Sequence, residues 1–479
     1  MSKRKKEITI SLLGNSAEEV TGSCNLIEFN NRKILAELGG IQEGHTILAN
    51  YNMNKKMLEK IKPTEIERVF VCHLHYDHIG MIPYLFKYNS SIIIHVPKGS
   101  RLILREIWLD SAKIMKNDCE HLNRKKNRSY LPFYTDKEVE CALNHIIEHD
   151  SESLIEIDEQ LSFRYVPAGH IMLSQQLELF VKTANHTNKI LVTSDLGNIV
   201  TEDRRIFVEK FRPVSKANLV IGESTYGRRS KRNTKKDLEK DLEKIKSVIQ
   251  QFCIDSKHRV LIPTFSLDKT AVILWCLYDI YGKDPDFKVP IIVDSPLAIR
   301  LLYCYSSILT GDLKCKFEKM MSWSNIKLIS EYEESAACMA SSGAKIIVAA
   351  GGMLQSGRSV MWAQRIVPTA NDCILFAGYC GEDTLGYKLK HLDVQKTVTI
   401  NNKVVKNRCY TVELKSFSSH RQNQDLINYY KSIQADCIYL VHGDRQARQE
   451  LKEDLEKEIS NMSKTTKVRI ANKSTVIRI

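Results

Sequence analysis

The chain has 479 residues, more than one simple core holds, so two domains or one domain with a large insertion is expected. Hydrophobic residues at 43% and charged residues at 27% fit a globular chain, and no apolar run is long enough for a bilayer span or a secretory signal; the reading is cytoplasmic, with no membrane partner. The 13 cysteines are odd in number, scattered and free of any CxxC, which argues against a disulfide frame or a cysteine-type zinc site, while the net charge of +13 suits a polyanionic partner as well as it suits lysine-rich helix faces in solvent.

In chain order, a basic start, "MSKRKKEITISLLGN", leads into short β-branched runs: "ERVFVC", "SIIIHV", "KILVTS", "NLVIGES", "RVLIPTF", "PIIVDS", "AKIIVAA", "CILFAGY" and "CIYLVHG". Each is followed by turn or polar residues and reads as a strand. Helical patterns lie between them, among them "KKDLEKDLEKIKSVIQQF" and "DKTAVILWCLYDIYG". There is no internal repeat and no low-complexity linker. The alternation predicts an α/β fold with largely buried sheets.

Several of these runs end in a residue able to bind metal or move a proton: "VFVC" leads to His73, "LSFRYVPAG" to His170, "ILVTS" to Asp195, "NLVIG" to Glu223 and "CIYLV" to His442. Sites in α/β proteins form where strands end, so these ends are candidates for one cleft. The densest stretch, "VFVCHLHYDHIG", holds His73, His75, Asp77 and His78. In an extended segment alternate side chains point the same way, so His73 and His75 face one ion; the chain then turns and presents Asp77 and His78 to a second position. Zinc takes about four imidazole or carboxylate ligands, so two ions need more donors than this stretch supplies. His170, Asp195 and His442 are the candidates. One ion sees His73, His75, His170 and Asp195; the other sees Asp77, His78, His442 and a bridging Asp195. His45, His95, His121, His145, His149, His186, His258 and His391 have no such company and read as surface or core histidines.

HxHxDH, "AGH", the "SD" after an apolar strand and the N-terminal "EVTGSC" together resemble the metallo-β-lactamase fold. "ESTYG" (223–227), "DSPLA" (294–298), "GGMLQSG" (351–357), "GYCGEDTLG" (378–386), "SFSSH" ending at His420 and "LVHGD" ending at Asp444 narrow the resemblance to the β-CASP nucleases. That group includes the mRNA 3′-end cleavage nuclease, bacterial RNase J and shorter prokaryotic relatives, to which this chain is most similar in plan. The resemblance implies an αββα metallo-β-lactamase sandwich over residues 1–227 and 412–479. A β-CASP domain over 228–411 is inserted and caps the cleft. It also implies two Zn²⁺ ions, or other divalent metals such as Mn²⁺. Glu37 stands in a supporting role behind the ligands, where Asp is usual. Further departures from the family pattern are Arg228 in "ESTYGRR", Asp268 and Lys269 in "FSLDKTA", "FSSHRQ", and "HGD" for "HGE".

By resemblance the chain is a ribonuclease, cutting single-stranded RNA as endonuclease, 5′→3′ exonuclease or both, through a two-metal-activated hydroxide to give 5′-phosphate and 3′-hydroxyl ends. Asp77, Glu223 and His420 are the catalytic candidates: Asp77 orients the nucleophile, His420 binds the scissile phosphate or protonates the leaving oxygen, and Glu223 orients His420. His442 lies 22 positions after His420, as in the RNA-cleaving branches, and the DNA-repair branch typically lacks it. The basic run "RRSKRNTKK", with Arg228, Arg229, Lys231 and Arg232, reads either as an RNA approach or as a solvated turn. Ser356 and Arg358 of the Gly-rich "AAGGMLQSGRS" are further candidate RNA contacts. The rival readings are a DNA nuclease or other metallohydrolase of the same fold, and a non-catalytic RNA-binding scaffold. A homodimer is left open and nothing in the sequence indicates one.

Overall fold

A computed structural model of the chain describes residues 8–44, 46–126, 129–183, 186–378, 380–381 and 384–479. His45, Tyr379, Glu382, Asp383 and the basic start therefore lie outside the described residues. The chain divides into two compact units: Met1–Ile199, Val208–Arg232 and Ser419–Ile479 make the first, Val200–Phe207 and Asn233–Ser418 the second.

The first unit is built on two seven-stranded sheets. In one, the antiparallel strands Thr9–Leu12, Cys24–Phe29 and Arg32–Leu38 continue into the parallel strands Arg68–Phe70, Ile93–Pro97 and Ile146–His149. In the other, Leu161–Pro167, Gln175–Lys182 and Thr187–Val192 pair antiparallel, and Thr187–Val192, Lys216–Glu223, Gln434–Val441 and Lys467–Ile470 run parallel. Side chains alternate across the second sheet as strand geometry requires. Phe163, Tyr165, Leu177, Leu179, Ile190 and Val192 meet Ile10, Ile27, Phe29, Ile34 and Phe70 of the first sheet in one core. The intervening Leu191, Val220, Ile438 and Leu440 face a second core, filled by Leu426 and Tyr430 of helix Asn423–Ser432 and Leu451, Leu455 and Ile459 of helix Arg445–Asn461. This is the metallo-β-lactamase sandwich. The C-terminal strands enter both sheets: Lys467–Ile470 pairs with Gln434–Val441, and Val476–Arg478 pairs with Thr9–Leu12.

The second unit has a six-stranded, wholly parallel sheet in the order Ile326–Ile329, Ile291–Asp294, Lys345–Ala350, Arg259–Thr264, Cys373–Phe376, Tyr410–Glu413. Its inner strands are buried along their length, which is why they read as unbroken apolar runs. Helix Lys235–Val248 begins where Thr234 and Asp237 form a capping box, and the pattern beyond it continues as a π-helix over Ile249–Asp255. The segment Val200–Phe207 belongs here because Phe207 packs edge-on against Trp275 and Phe317, with ring centroids 5.6 and 5.2 Å apart. Among the described residues, no helix is long and apolar enough to cross a membrane.

Candidate metal centre

Every candidate ligand sits in the first unit, at or just beyond a strand's carboxyl end. The turn expected after His75 is a single helical turn, Tyr76–Ile79, with His75 as its N-cap. It carries Asp77 and His78. Gly39 makes room for it: a Cβ there would lie 1.6 Å from the Asp77 carbonyl oxygen. His170 stands in a tight loop whose amide groups at His170 and Ile171 donate to Ser174 Oγ at 2.9 and 3.1 Å. Asp195 follows strand Thr187–Val192. Gly197 lets its loop touch the His170 loop, because a Cβ there would meet the Gly169 carbonyl at 1.8 Å. His442, directly after Gln434–Val441, adopts φ 52°, a left-handed conformation that non-glycine residues hold only under constraint.

The structure brings together all seven expected ligands. His73, His75, His170 and Asp195 form one donor set, with donor atoms within 4.8 Å of one another, and Asp77, His78 and His442 form another. Asp195 faces both. Its Oδ2 lies 3.6 Å from His73 Nε2 and 3.6 Å from His170 Nε2; its Oδ1 lies 3.6 Å from His78 Nε2 and 3.3 Å from His442 Nδ1. Asp195 Oδ1 is buried and accepts no hydrogen bond among the described residues. A buried carboxylate oxygen among imidazole nitrogens without a donor is costly unless a cation sits there, so the donor set fits divalent metal.

The charges agree. Burial alone would raise the Asp195 carboxyl, but His442 and His78 outweigh it and hold it at about 2. Burial, then the neighbouring His73, push His75 down to about 3, leaving the neutral imidazole that ligation needs. Burial also opposes charge on His442, yet Asp195 and Asp77 raise it to about 9.

Glu37 lies behind the ligands. Its carboxylate accepts from Ser23 Oγ at 2.6 Å and Ser194 Oγ at 2.7 Å, and lies 2.8 Å from His78 Nδ1. Ser194 Oγ in turn lies 3.0 Å from His73 Nδ1. Ser23, Ser194 and Thr225, whose Oγ1 is 2.9 Å from His442 Nδ1, were not singled out in the sequence; their only signal is adjacency to "SC", "SD" and "EST". Contacts of this kind would fix the ring orientation of these imidazoles were a metal bound among them.

His420 and Glu223 join the same cluster. His420 Nδ1 lies 3.5 Å from Glu223 Oε2 and 3.9 Å from Asp195 Oδ2, and Tyr226 stacks near it at 5.9 Å. Glu223 is anchored by the Leu196 N–H at 2.6 Å.

The remaining candidates are placed differently. Arg228 pairs with Asp444 at 2.9 Å. Arg229 bonds Glu453 and Asp454, and Arg232 bonds Asp425 at 2.6 Å. Lys231 is exposed and makes no ion pair among the described residues. In the second unit, Ser356 is exposed, but Arg358 is drawn inward to Asp294 at 2.9 Å. Lys269, also there, is buried and donates to the Phe417 carbonyl. Of the other histidines, His95 stacks on Phe70 and lies 2.9 Å from His149, and His258 lies 3.3 Å from Asp372.

Residues 270–389 match the model of the Beta-Casp domain, and residues 405–468 that of the Zn-dependent metallo-hydrolase RNA specificity domain. Over these residues the chain is similar to the β-CASP nucleases. Among similar proteins is ribonuclease TTHA0252 of Thermus thermophilus, 25% identical over 437 residues, covering 90% of this chain and 92% of that protein. Another is cleavage and polyadenylation specificity factor 73 of Drosophila melanogaster, 24% identical, covering 92% of this chain but 61% of that protein. Endoribonuclease ysh1 of Schizosaccharomyces pombe is 24% identical, covering 94% of this chain and 56% of itself. A crystal structure of a protein of unknown function from Enterococcus faecalis V583 shares the fold, with a TM-score of 0.54, 13% identity, and 99% and 100% of the two chains covered.

Proposed function

We propose that this protein is a metal-dependent ribonuclease of the β-CASP kind whose two metal positions, filled by Zn²⁺ or another divalent ion such as Mn²⁺, share Asp195. The observation that carries the reading is the bridging placement of Asp195, one oxygen toward each donor set, with His420 on the same carboxylate. The relatives named ribonuclease and endoribonuclease support RNA as the substrate. The first unit is taken as the metallo-β-lactamase part and the second as the β-CASP insertion, assigned from the sequence to 1–227 with 412–479 and to 228–411.

His73, His75, His170 and Asp195 would hold one ion, and Asp77, His78, His442 and Asp195 the other. Bound there, the ions supply Lewis acidity that lowers the pKa of water and offsets phosphate charge. The protein's own groups do the rest. Asp77 accepts a hydrogen bond from the attacking water and aims it at phosphorus. His420 binds the scissile phosphate or hands a proton to the leaving 3′ oxygen, so the products are a 3′-hydroxyl and a 5′-phosphate. Glu223, pinned by the Leu196 amide, keeps the His420 ring turned toward the reacting bond. Of the tentative RNA contacts, Lys231 and Ser356 are better placed than Arg228, Arg229, Arg232 and Arg358, whose guanidinium groups already face carboxylates. The site is assigned to the cytoplasm.

The test is purified protein with measured metal content, challenged with end-labelled single-stranded RNA, DNA of the same sequence and a chromogenic lactam. Cleavage of RNA alone, lost in His73→Ala and on chelation, is expected. Absence of bound transition metal, or preference for DNA or lactam, overturns the reading.

A further inference from the structure

Arg421 directly follows His420 and is 3% exposed, an unusual place for a guanidinium. No carboxylate pairs with it among the described residues. Its Nε donates instead to the Gly197 carbonyl at 3.1 Å, and its guanidinium carbon lies 3.6 Å over the Phe211 ring and 5.7 Å from that of Tyr429. Nη2 is buried and makes no hydrogen bond among the described residues. Burying a cation on these terms is expensive, so its retention needs a reason.

Gly197 supplies one. It lies two residues after Asp195 and forms an isolated antiparallel bridge with His420. Around that bridge the Arg421 N–H donates to the Leu196 carbonyl at 2.8 Å, and the Asn198 N–H donates to the Ser419 carbonyl at 2.8 Å. A bridge this short has few hydrogen bonds and would fray by itself. The Arg421 side chain adds a charge-assisted bond on the Gly197 carbonyl, shielded by two aromatic faces, and so brackets the Asp195 loop to the His420 loop.

We propose that Arg421 is a positioning residue that holds the His420 loop against the Asp195 loop, and so fixes the imidazole of His420 relative to the reacting phosphate. The inference rests on the ribonuclease reading for its consequence in catalysis, though not for the bracket itself. Arg421→Met keeps much of the volume over Phe211 and removes the charge and its donors. In that variant kcat on RNA is expected to fall about 100-fold, the loss typical of a displaced catalytic group, with KM and bound metal near wild type. Arg421→Lys, which keeps the charge but not the fork, is expected to recover part of kcat. Hydrogen exchange gives a readout independent of activity: the Asn198 and Arg421 amides should exchange faster in Arg421→Met, while amides of the distant strand Thr9–Leu12 stay protected. Unchanged exchange at those two amides overturns the bracket. Faster exchange with unchanged kcat overturns the role in positioning His420, and equal losses in both variants with loss of metal would make Arg421 merely structural and overturn it too. If wild-type protein cleaves no RNA, the functional reading falls while exchange still decides the bracket.

Discussion

Glu37 shows how much of a metal site lies behind its ligands. It occupies a left-handed conformation, φ 66°, is 1% exposed, and spends both carboxylate oxygens on Ser23, Ser194 and His78. The sequence marks it as a family position with one extra methylene; the structure shows that the longer arm still reaches its partners. Glu37→Gln keeps the shape but removes the charge that fixes His78, so metal affinity is expected to drop about 10–100-fold in a competitive chelator titration. A second acid tests burial without touching a ligand. Glu43 accepts from the Val20 and Thr21 amides, and burial, then the charge of Glu19, raise it to about 7. A carboxyl raised in the folded state supports the fold while protonated and loses that support as pH climbs through its folded value. Thermal stability is therefore expected to decline between about pH 4.5 and pH 7, and Glu43→Gln should flatten that decline.

At the scale of elements, Arg358 is the instructive case. A Gly-rich loop before a helix invites a phosphate, and an arginine at the first helical position reads as its contact. In the folded chain, Asp294 at the end of strand Ile291–Asp294 is wholly buried and accepts from Ser335 Oγ, Trp362 Nε1 and Arg358 Nη1. Arg358 also donates to the Ser330 carbonyl at 3.1 Å. The arginine thus fastens helix Arg358–Ile366 to the parallel sheet. Arg358→Met leaves Asp294 charged with its arginine gone and is expected to cost about 3–5 kcal/mol in denaturant unfolding followed by tryptophan fluorescence. Elements themselves were legible from short-range pattern: the runs ending at Glu223, Thr264, Asp294 and Ala350 are strands, and "DKTAVILWCLYDIYG" is helix Lys269–Tyr281. Pattern is a local property, and these segments obey it because their sheets are buried.

For the whole molecule, the charge of +13 overstates what is available to an anion. Arg228, Arg229 and Arg232 look like a basic approach in sequence, but each meets a carboxylate more than 190 positions later, at Asp444, Glu453 and Asp425. The exposed pairs of Arg228 and Arg229 contribute little stability, and all three pairs, that of Arg232 with the buried Asp425 included, hold the cations away from a passing phosphate. If Lys231 contacts RNA backbone, Lys231→Gln should lower the slope of log affinity against log salt by about 0.7, while Arg229→Gln should leave it unchanged, as read by fluorescence anisotropy across a salt series.

By itself the sequence pointed to the seven candidate ligands that the fold brings together around Asp195, to Glu223 and His420 as neighbours, and to the alternation of strands and helices. Ligand chemistry restricts residue types, and strand ends place them, so both leave a trace in a single chain. The tertiary structure alone decided which oxygen of Asp195 faces which donor set, that Ser23 and Ser194 orient the imidazoles through Glu37, that Val200–Phe207 joins the second unit, and which arginines are already matched by acids. These depend on distances between residues far apart in the chain, and such distances exist only after the sheets have packed.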